Sequence, residues 1–407
     1  MLSEKIFCGL DIGSSQMKAS VVKSRYGKTQ LLSVFHLPTA GLKDGIVNDL
    51  ARVSECIHQV LTGASKKAGV KFKGVRLGVG GSLIHGQFSK AMIPLVDKAN
   101  KVITSSDIRK VNKQACVLGI KIEEEILHDF PQYYVVDDTN KVVHPAGLYG
   151  RKLAVGSLLI TVSSQAVGNI VKAVNQASYE ADHVFFSSFE AAQAVLTKDA
   201  MHQGSLLVDM GAATTNLLFL KDGFLKSLDV LRHGGDRLTE AIAQGLGLPM
   251  DLAEDIKKSH GAVLGDNVKS MDEILIKKDS GYTAVSQKLV CEAMDPEVTK
   301  FADAIKNALQ FSHIKGKLAA GIFITGGTSL LPGLLEKMEK VLGIQVATAT
   351  PLIGYGGIGG ASLFNGSIGL AQSGFQAASG KVTPINSPKN WIEGVSHKVR
   401  ELYEEYF

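Results

Sequence analysis

Two aspartates, Asp11 and Asp209, stand in stretches built alike: "IFCGLDIGSSQMKASVV" (6–22) and "LLVDMGAATTNLLFL" (206–220). In each, an apolar run ends in one acid, a turn of small residues follows, and a second apolar run returns. A turn of glycine and small residues presents backbone amides that grip an anion. A carboxylate at its foot would repel phosphate, so its chemistry is to hold Mg²⁺, directly or through water, while the ion neutralises the phosphates. Two such hairpins facing one another across a cleft would hold one polyphosphate from both sides. Asp11 and Asp209 would then meet at one metal, as the only candidates for a catalytic role.

Each aspartate needs a scaffold, and the surrounding elements repeat. Strands are expected over 6–12 and 17–23, with a third in "TQLLSVFHLP". Asp49 is placed to cap a helix, and "GVRLGVGGS" (74–82) is a strand stopping at Gly80-Gly81. The later half has a strand at 205–210, its return strand, a third in "GFLKSLDVL", and "GIFITGGTS" (321–329), which stops at Gly326-Gly327 and opens the helix "LLPGLLEKMEKVLG". The two glycine pairs are counterparts. The chain therefore divides into two α/β halves with mixed sheets, an internal duplication of long period. The first half covers 1–82 and 163–200, interrupted by an insertion over 83–162. That insertion holds strands around "GQFSKAMIPLV", "QYYVVDD" and "KLAVGSLLITV", and a helix capped by "TSSD" (104–107). The second half covers 201–370, with a lobe at about 236–310 built from "DRLTEAIAQGLG", "DLAEDIKKSHG" and "PEVTKFADAIKNALQFS". Residues 371–389 form a polar, flexible linker, and 390–407 a helix.

Composition bounds the classes of function. The 407 residues are 45% hydrophobic, enough for two or three domains, and carry a net charge of only +5 with scattered lysines. The densest basic stretch, "SKKAGVKFKGVR", is a solvated helix end and loop, and no nucleic acid is expected as a partner. The four cysteines lack metal-ligand spacing and are expected as free thiols in a reducing cytoplasm. The N-terminal apolar stretch is too short for a signal peptide, and no run approaches the roughly 20 apolar residues of a spanning helix.

These motifs resemble the actin-like ATPase superfamily of actin, sugar kinases and heat-shock chaperone ATPases, and within it the FtsA family of bacterial cell division. "GLDIGSS" and "VDMGAATTN" resemble its two phosphate loops, "ITGGTSLLPGL" its adenosine loop, and "GLGLPMDLAEDIKKSHG" the helix flanking the nucleoside. More specific are "GLKDGIVNDL" (41–50), "HDFPQYYVVDD" (128–138) and "HPAGLYGRKLAV" (144–155). The last two fall in the insertion, which in that family replaces the equivalent actin subdomain with an unrelated one. The resemblance implies ATP with Mg²⁺ as cofactor. Contacts would fall on Gly13, Ser14, Ser15, Gly211, Ala212, Ala213, Thr214, Gly234, Gly235, Glu254, Lys257, Gly326 and Gly327. It further implies filaments of the chain itself, docking of the C-terminal peptide of FtsZ on the second insertion, later division proteins on the first, and a site on the cytoplasmic side of the membrane at the septum. Lys300, Lys306 and Lys315 are candidates for the acidic FtsZ peptide.

One departure bears on chemistry. The family's second loop usually runs Gly-Gly-Gly-Thr and, one residue later, Asp. Here Ala212 and Ala213 replace two glycines and Asn216 stands for the acid. Alanine disfavours positive φ by about 1 kcal/mol. Either both alanines keep negative φ and binding survives, or the site binds weakly; binding with slow or negligible hydrolysis is the expectation. Rival functions are a PilM-type cytoplasmic scaffold of a pilus or secretion system, and a small-molecule kinase, for which no separate catalytic acid is evident.

The terminal segment "NWIEGVSHKVRELYEEYF" places Trp391, Ile392, Val395, Val399, Leu402, Tyr403 and Tyr406 at helical spacing on one face, ending in Phe407. An amphipathic helix on a tether suits a membrane surface, with tryptophan at the headgroup boundary, and in the FtsA family the terminal helix is the membrane anchor. The polar face carries four glutamates against Lys398 and Arg400, so charge gives no attraction to an anionic leaflet. Apolar burial alone makes a single tail weak and many tails strong by avidity.

Overall fold

The computed structural model describes residues 4–25, 28–95, 101–138, 141–263, 273–278, 281–311, 315–354 and 360–378. The described residues fall into two compact units. One is built from those up to Ala194 together with Ile353, Gly354 and those from Gly366 onward; the other from Val195–Leu352 with the described part of Gly359–Asn365.

The first unit opens with β1 (Lys5–Ile12), β2 (Gln16–Arg25) and β3 (Lys28–Pro38), followed by α1 (Leu50–Ala68) and β4 (Gly74–Val79). Asp49 caps α1 by accepting from Arg52 N at 3.1 Å, and Gly69 ends it at φ 66°. Val53, Ile57, Val60, Leu61 and Ala64 form the buried stripe between. The insertion follows as β5 (Ile84–Pro94), α2 (Ser105–Gly119), β6 (Glu124–Val136), β7 (Lys141–Val142) and β8 (Lys152–Ser163). Thr104 and Asp107 close a capping box at the start of α2, as the motif at 104–107 led one to expect. The chain returns through α3 (Ser164–Gln176), β9 (Glu180–Phe186) and α4 (Ser187–Val195). The main sheet runs β9-β4-β1-β2-β3 and the insertion has its own sheet, β7-β6-β8-β5.

The second unit repeats the plan. After α5 (Lys198–Gln203) come β10 (Ser205–Met210), β11 (Thr215–Lys221), β12 (Phe224–Leu231), α6 (Gly235–Leu246) and α7 (Met250–His260). A hairpin of β13 (Glu273–Lys278) and β14 (Gly281–Ser286) leads into α8 (Gln287–Phe311), and β15 (Gly321–Thr325), α9 (Leu334–Leu342) and β16 (Val346–Thr348) complete the unit. Its sheet runs β12-β11-β10-β15-β16. In both sheets the aspartate-bearing strand is central, antiparallel to the next strand in the chain and parallel to the strand that ends at paired glycines.

Four expectations change. The helix placed from Pro296 begins nine residues earlier and passes through that proline. Its core stripe of Val290, Met294, Val298, Phe301, Ile305 and Leu309 is continuous across it, so burial outweighs one lost backbone bond. The hairpin β13–β14 was not anticipated. Gly326-Gly327 opens a single 3₁₀ turn, Gly327–Leu330, and the helix proper starts only at Leu334. Finally, the linker expected from residue 371 is helical to Ala378: α10 (Asn365–Ala378) lies on the first unit's sheet, with Ile368, Leu370 and Ala371 fully buried. Its small residues serve close packing. A Cβ on Gly369 would come within 1.9 Å of Glu190 O, and one on Gly9 of β1 within 2.1 Å of Ser367 O. Residues 379–389, the terminal helix at 390–407 and its membrane-facing residues lie outside the described residues. Among the described residues no helix is long and apolar enough to cross a membrane.

Candidate functional site

In the first unit, Asp11 lies near the end of β1, opposite Lys18 on β2 and Gly78 on β4. The turn Gly13-Ser14-Ser15 is closed by Gly13 N donating to Gln16 O at 3.1 Å. A Cβ at Gly13 would meet that carbonyl at 2.8 Å, so the turn requires glycine. Thr39, just past β3, pins the loop from behind. Its N–H donates to Ser15 O at 2.9 Å and its hydroxyl to Gly13 O at 2.7 Å. Asp11 Oδ1 accepts from Ser187 Oγ at 2.7 Å.

In the second unit, Asp209 lies opposite Asn216 on β11 and Thr325 on β15. One offset along the chain carries Asp11, Gly13 and Gln16 onto Asp209, Gly211 and Thr214, and Gly211 N donates to Thr214 O at 2.9 Å. The carbonyl of the turn's glycine is again held by a threonine, here Thr328 Oγ1 at 2.9 Å, and also by Gly235 N at 3.0 Å. Asp236 N donates to Ala212 O at 2.9 Å. The start of α6 is thereby locked onto the loop, and glycine is required there: a Cβ on Gly234 would lie 2.4 Å from Ala212 O, and one on Gly235 2.6 Å from Thr328 Oγ1. Ala212 and Ala213 are not among the residues with positive φ, so the methyl groups cost the turn no backbone strain. Of the two readings of those alanines, the backbone meets the condition of the first.

Glu254 and Lys257 share the inner face of α7. Lys257 Nζ donates to Glu254 at 2.6 Å, to Thr239 Oγ1 at 2.7 Å and to Gly235 O at 2.8 Å, and Thr239 also bonds Glu254. Burial pushes the Glu254 carboxyl up, but the hydrogen bonds from Lys257 and Thr239 and the Lys257 charge outweigh it and hold the group below its ordinary range. Gly326, at φ 89°, lets its backbone pass Met210 O and Asp209 Oδ1, where a Cβ would come within 2.4 and 2.8 Å. The glycine pairs at 80–81 and 326–327 both lead a strand into a 3₁₀ turn, although the positive φ falls on Gly81 in one and Gly326 in the other. The His233 carbonyl accepts from Thr215 Oγ1 at 2.8 Å, and its ring packs 5.3 Å from Phe301 with Nε2 3.7 Å from Glu297.

The second unit thus brings together Asp209, Gly211–Thr214, Gly234, Gly235, Glu254, Lys257, Gly326 and Gly327; the first brings together Asp11 and Gly13–Ser15. Sequence reasoning missed Thr39, Ser187, Thr239 and Thr328. Only Thr328 had a short-range signal, following the paired glycines. The residues suit a magnesium nucleotide. Several glycines clear backbone that a Cβ would fill, and each unit offers one aspartate beside a turn. Among the described residues no group of three or more His, Cys, Asp or Glu side chains gathers to hold a metal.

The chain matches the family model described as "Cell division protein FtsA" over residues 206–368 and that described as "SHS2 domain inserted in FTSA" over 81–161. It is 30% identical over 361 residues to "Cell division protein FtsA" of Buchnera aphidicola, covering 86% of this chain and 85% of the relative. It is 28% identical over 358 residues to the Escherichia coli protein of the same description, covering 86% and 84%. Among solved structures, a PilM-PilN type IV pilus biogenesis complex superimposes with a TM-score of 0.67 at 18% identity, covering 90% of this chain and 98% of that one. MreB5 of Spiroplasma citri bound to ADP gives 0.55 at 14%, covering 93% and 97%. These two likenesses establish an actin-like fold.

Proposed function

We propose, from the premise that this chain belongs to the FtsA family of cell division proteins, that it binds ATP with Mg²⁺, polymerises, and tethers FtsZ filaments to the cytoplasmic face of the membrane at the septum. The observation that carries the nucleotide reading is the equivalence of the two turns: the same register for Asp11 and Asp209, the same closing bond, and a threonine hydroxyl on the same carbonyl. An MreB relative in fold is described as bound to ADP, and another structure of it as bound to AMPPNP.

In this reading the amides of Gly13–Ser15 and Gly211–Thr214 take phosphates of one nucleotide. Gly326 and Gly327 give the nucleoside room, and Glu254 and Lys257 flank it. Asp11 and Asp209 hold the Mg²⁺, which when bound neutralises phosphate charge. Lys300, exposed and paired with Glu297 at 2.6 Å, and Lys306, half-buried, lie on α8, where the acidic FtsZ peptide would dock; the side chain of Lys315 lies outside the described residues. Later division proteins and filament neighbours would use the inserted subdomain.

The test is nucleotide binding and sedimentation of filaments. ATP should bind in a Mg²⁺-dependent way and promote sedimentation, and Asp209→Ala should weaken binding more than Asn216→Ala. Equal effects of the two substitutions, or filaments indifferent to ATP, would overturn the nucleotide part of the proposal. The PilM-type scaffold is disfavoured by the family match of the inserted subdomain.

A further inference from the structure

The first residue of the motif "HDFPQYYVVDD", His128, lies two contacts from Asp11. Strand β9 ends at Phe186 and α4 begins at Ser187. Ser187 Oγ reaches Asp11 Oδ1 at 2.7 Å by passing over Gly78, the residue that pairs with Asp11 on one side and with Phe185 on the other. Only glycine permits this, since a Cβ there would stand 2.3 Å from the hydroxyl. The other carboxylate oxygen, Oδ2, lies against the start of α10, where a Cβ on Gly366 would be 3.0 Å away. The end of β9 is in turn held from the inserted subdomain: Phe186 N donates to His128 Nε2 at 3.1 Å. The imidazole is enclosed by Phe130, Phe185 and Phe189, with ring centroids at 5.7, 6.0 and 4.9 Å. Desolvation among them pulls its pKa down to about 3, so it stays a neutral acceptor.

We infer that Ser187 is a positioning residue that aims the Asp11 carboxylate, and that His128 fixes Ser187 by holding the strand end from the inserted subdomain. The inference rests on the reading that Asp11 serves a magnesium nucleotide. It makes the seating of the inserted subdomain a determinant of metal-dependent nucleotide affinity.

The experiment measures ATP binding to the full chain by calorimetry, with Mg²⁺ and with chelator, for the wild type, Ser187→Ala, Ser187→Thr, His128→Leu and the double variant Ser187→Ala/His128→Leu. A hydrogen bond to a charged group is strong enough for its loss to cost about tenfold. Ser187→Ala should therefore weaken Mg²⁺-ATP binding about tenfold while leaving metal-free binding within about twofold, and Ser187→Thr, which keeps the hydroxyl, should restore it. His128→Leu should act in the same direction, and the double variant should be no weaker than the weaker single variant, because both act through one contact. Losses that are equal with and without Mg²⁺, or fully additive losses, overturn the inference. If His128→Leu does not fold, Phe130→Leu, which loosens the cage, is expected to lower Mg²⁺-ATP affinity roughly two- to fivefold, and unchanged affinity removes His128 from the device. A wild type without Mg²⁺-dependent ATP binding would instead refute the nucleotide reading itself.

Discussion

At the scale of residues, the loops make sharp and unequal demands on glycine. A Cβ on Gly13 would stand 2.8 Å from Gln16 O, whereas one on Gly211 would stand 3.0 Å from Thr214 O. Gly13→Ala should therefore weaken ATP binding more than Gly211→Ala, measured as two dissociation constants. Ala212 keeps negative φ, so Ala212→Gly should leave ATP affinity within about twofold and lower stability by about 0.5–1 kcal/mol; a large gain in affinity would mean that the methyl group obstructs the phosphate. Away from the loops, Glu190 is buried beside Arg76. Desolvation pushes its pKa up from the ordinary 4.5 to about 8, only partly offset by the guanidinium. The folded chain then keeps a proton that the unfolded chain releases above about 4.5. The stabilising contribution is full below that pH and is lost as pH rises toward about 8. The urea midpoint should fall between pH 5 and 8, and Glu190→Gln should flatten that slope. The aspartates and glycines of the site were legible because a tight turn is a local event. Ser187, Thr39 and His128 were not, because each reaches its partner across strands and no spacing along the chain records it.

At the scale of elements, composition misled where packing decided. Serine, glycine, proline and lysine read as a flexible linker from 371, yet α10 runs to Ala378, and its Gly374 lies so close to Phe7 that a Cβ would stand 2.5 Å from the ring. Two helical glycines separate these roles. Gly369→Ala should destabilise by about 1–3 kcal/mol, as overpacking does, because its Cβ would meet Glu190 O at 1.9 Å. Gly168→Ala in α3 meets nothing within 4 Å and should stabilise by about 0.5–1 kcal/mol. Thermal unfolding of the two variants gives the comparison, and equal shifts would mean that α10 is not packed as described. The start of α8 was missed for the opposite reason: a proline signals a helix start locally, while a buried stripe on both sides of Pro296 carries the helix through it. Where a cap or a stripe was self-contained, as in α1 and α2, the sequence reading and the structure coincide.

At the scale of the whole molecule, the duplicated plan was visible from two acids on two turns, and the inserted subdomain from motifs peculiar to one family. The proposed function rests on the terminal segment and on polymerisation together. On the helical spacing read from the sequence, 390–407 would set its apolar residues opposite four glutamates, so the proposed attachment should depend on many tails presented at once and only weakly on salt. Val399→Glu, which puts a charge in the stripe, should abolish it. The most direct measurement is co-sedimentation of FtsZ with lipid vesicles in the presence of ATP, using the full chain and a form lacking residues 388–407. The full chain should carry FtsZ into the vesicle pellet and the shortened form should not, with little change between low and moderate salt. Equal recovery of FtsZ with both forms, or none with the full chain, would overturn the proposed tether.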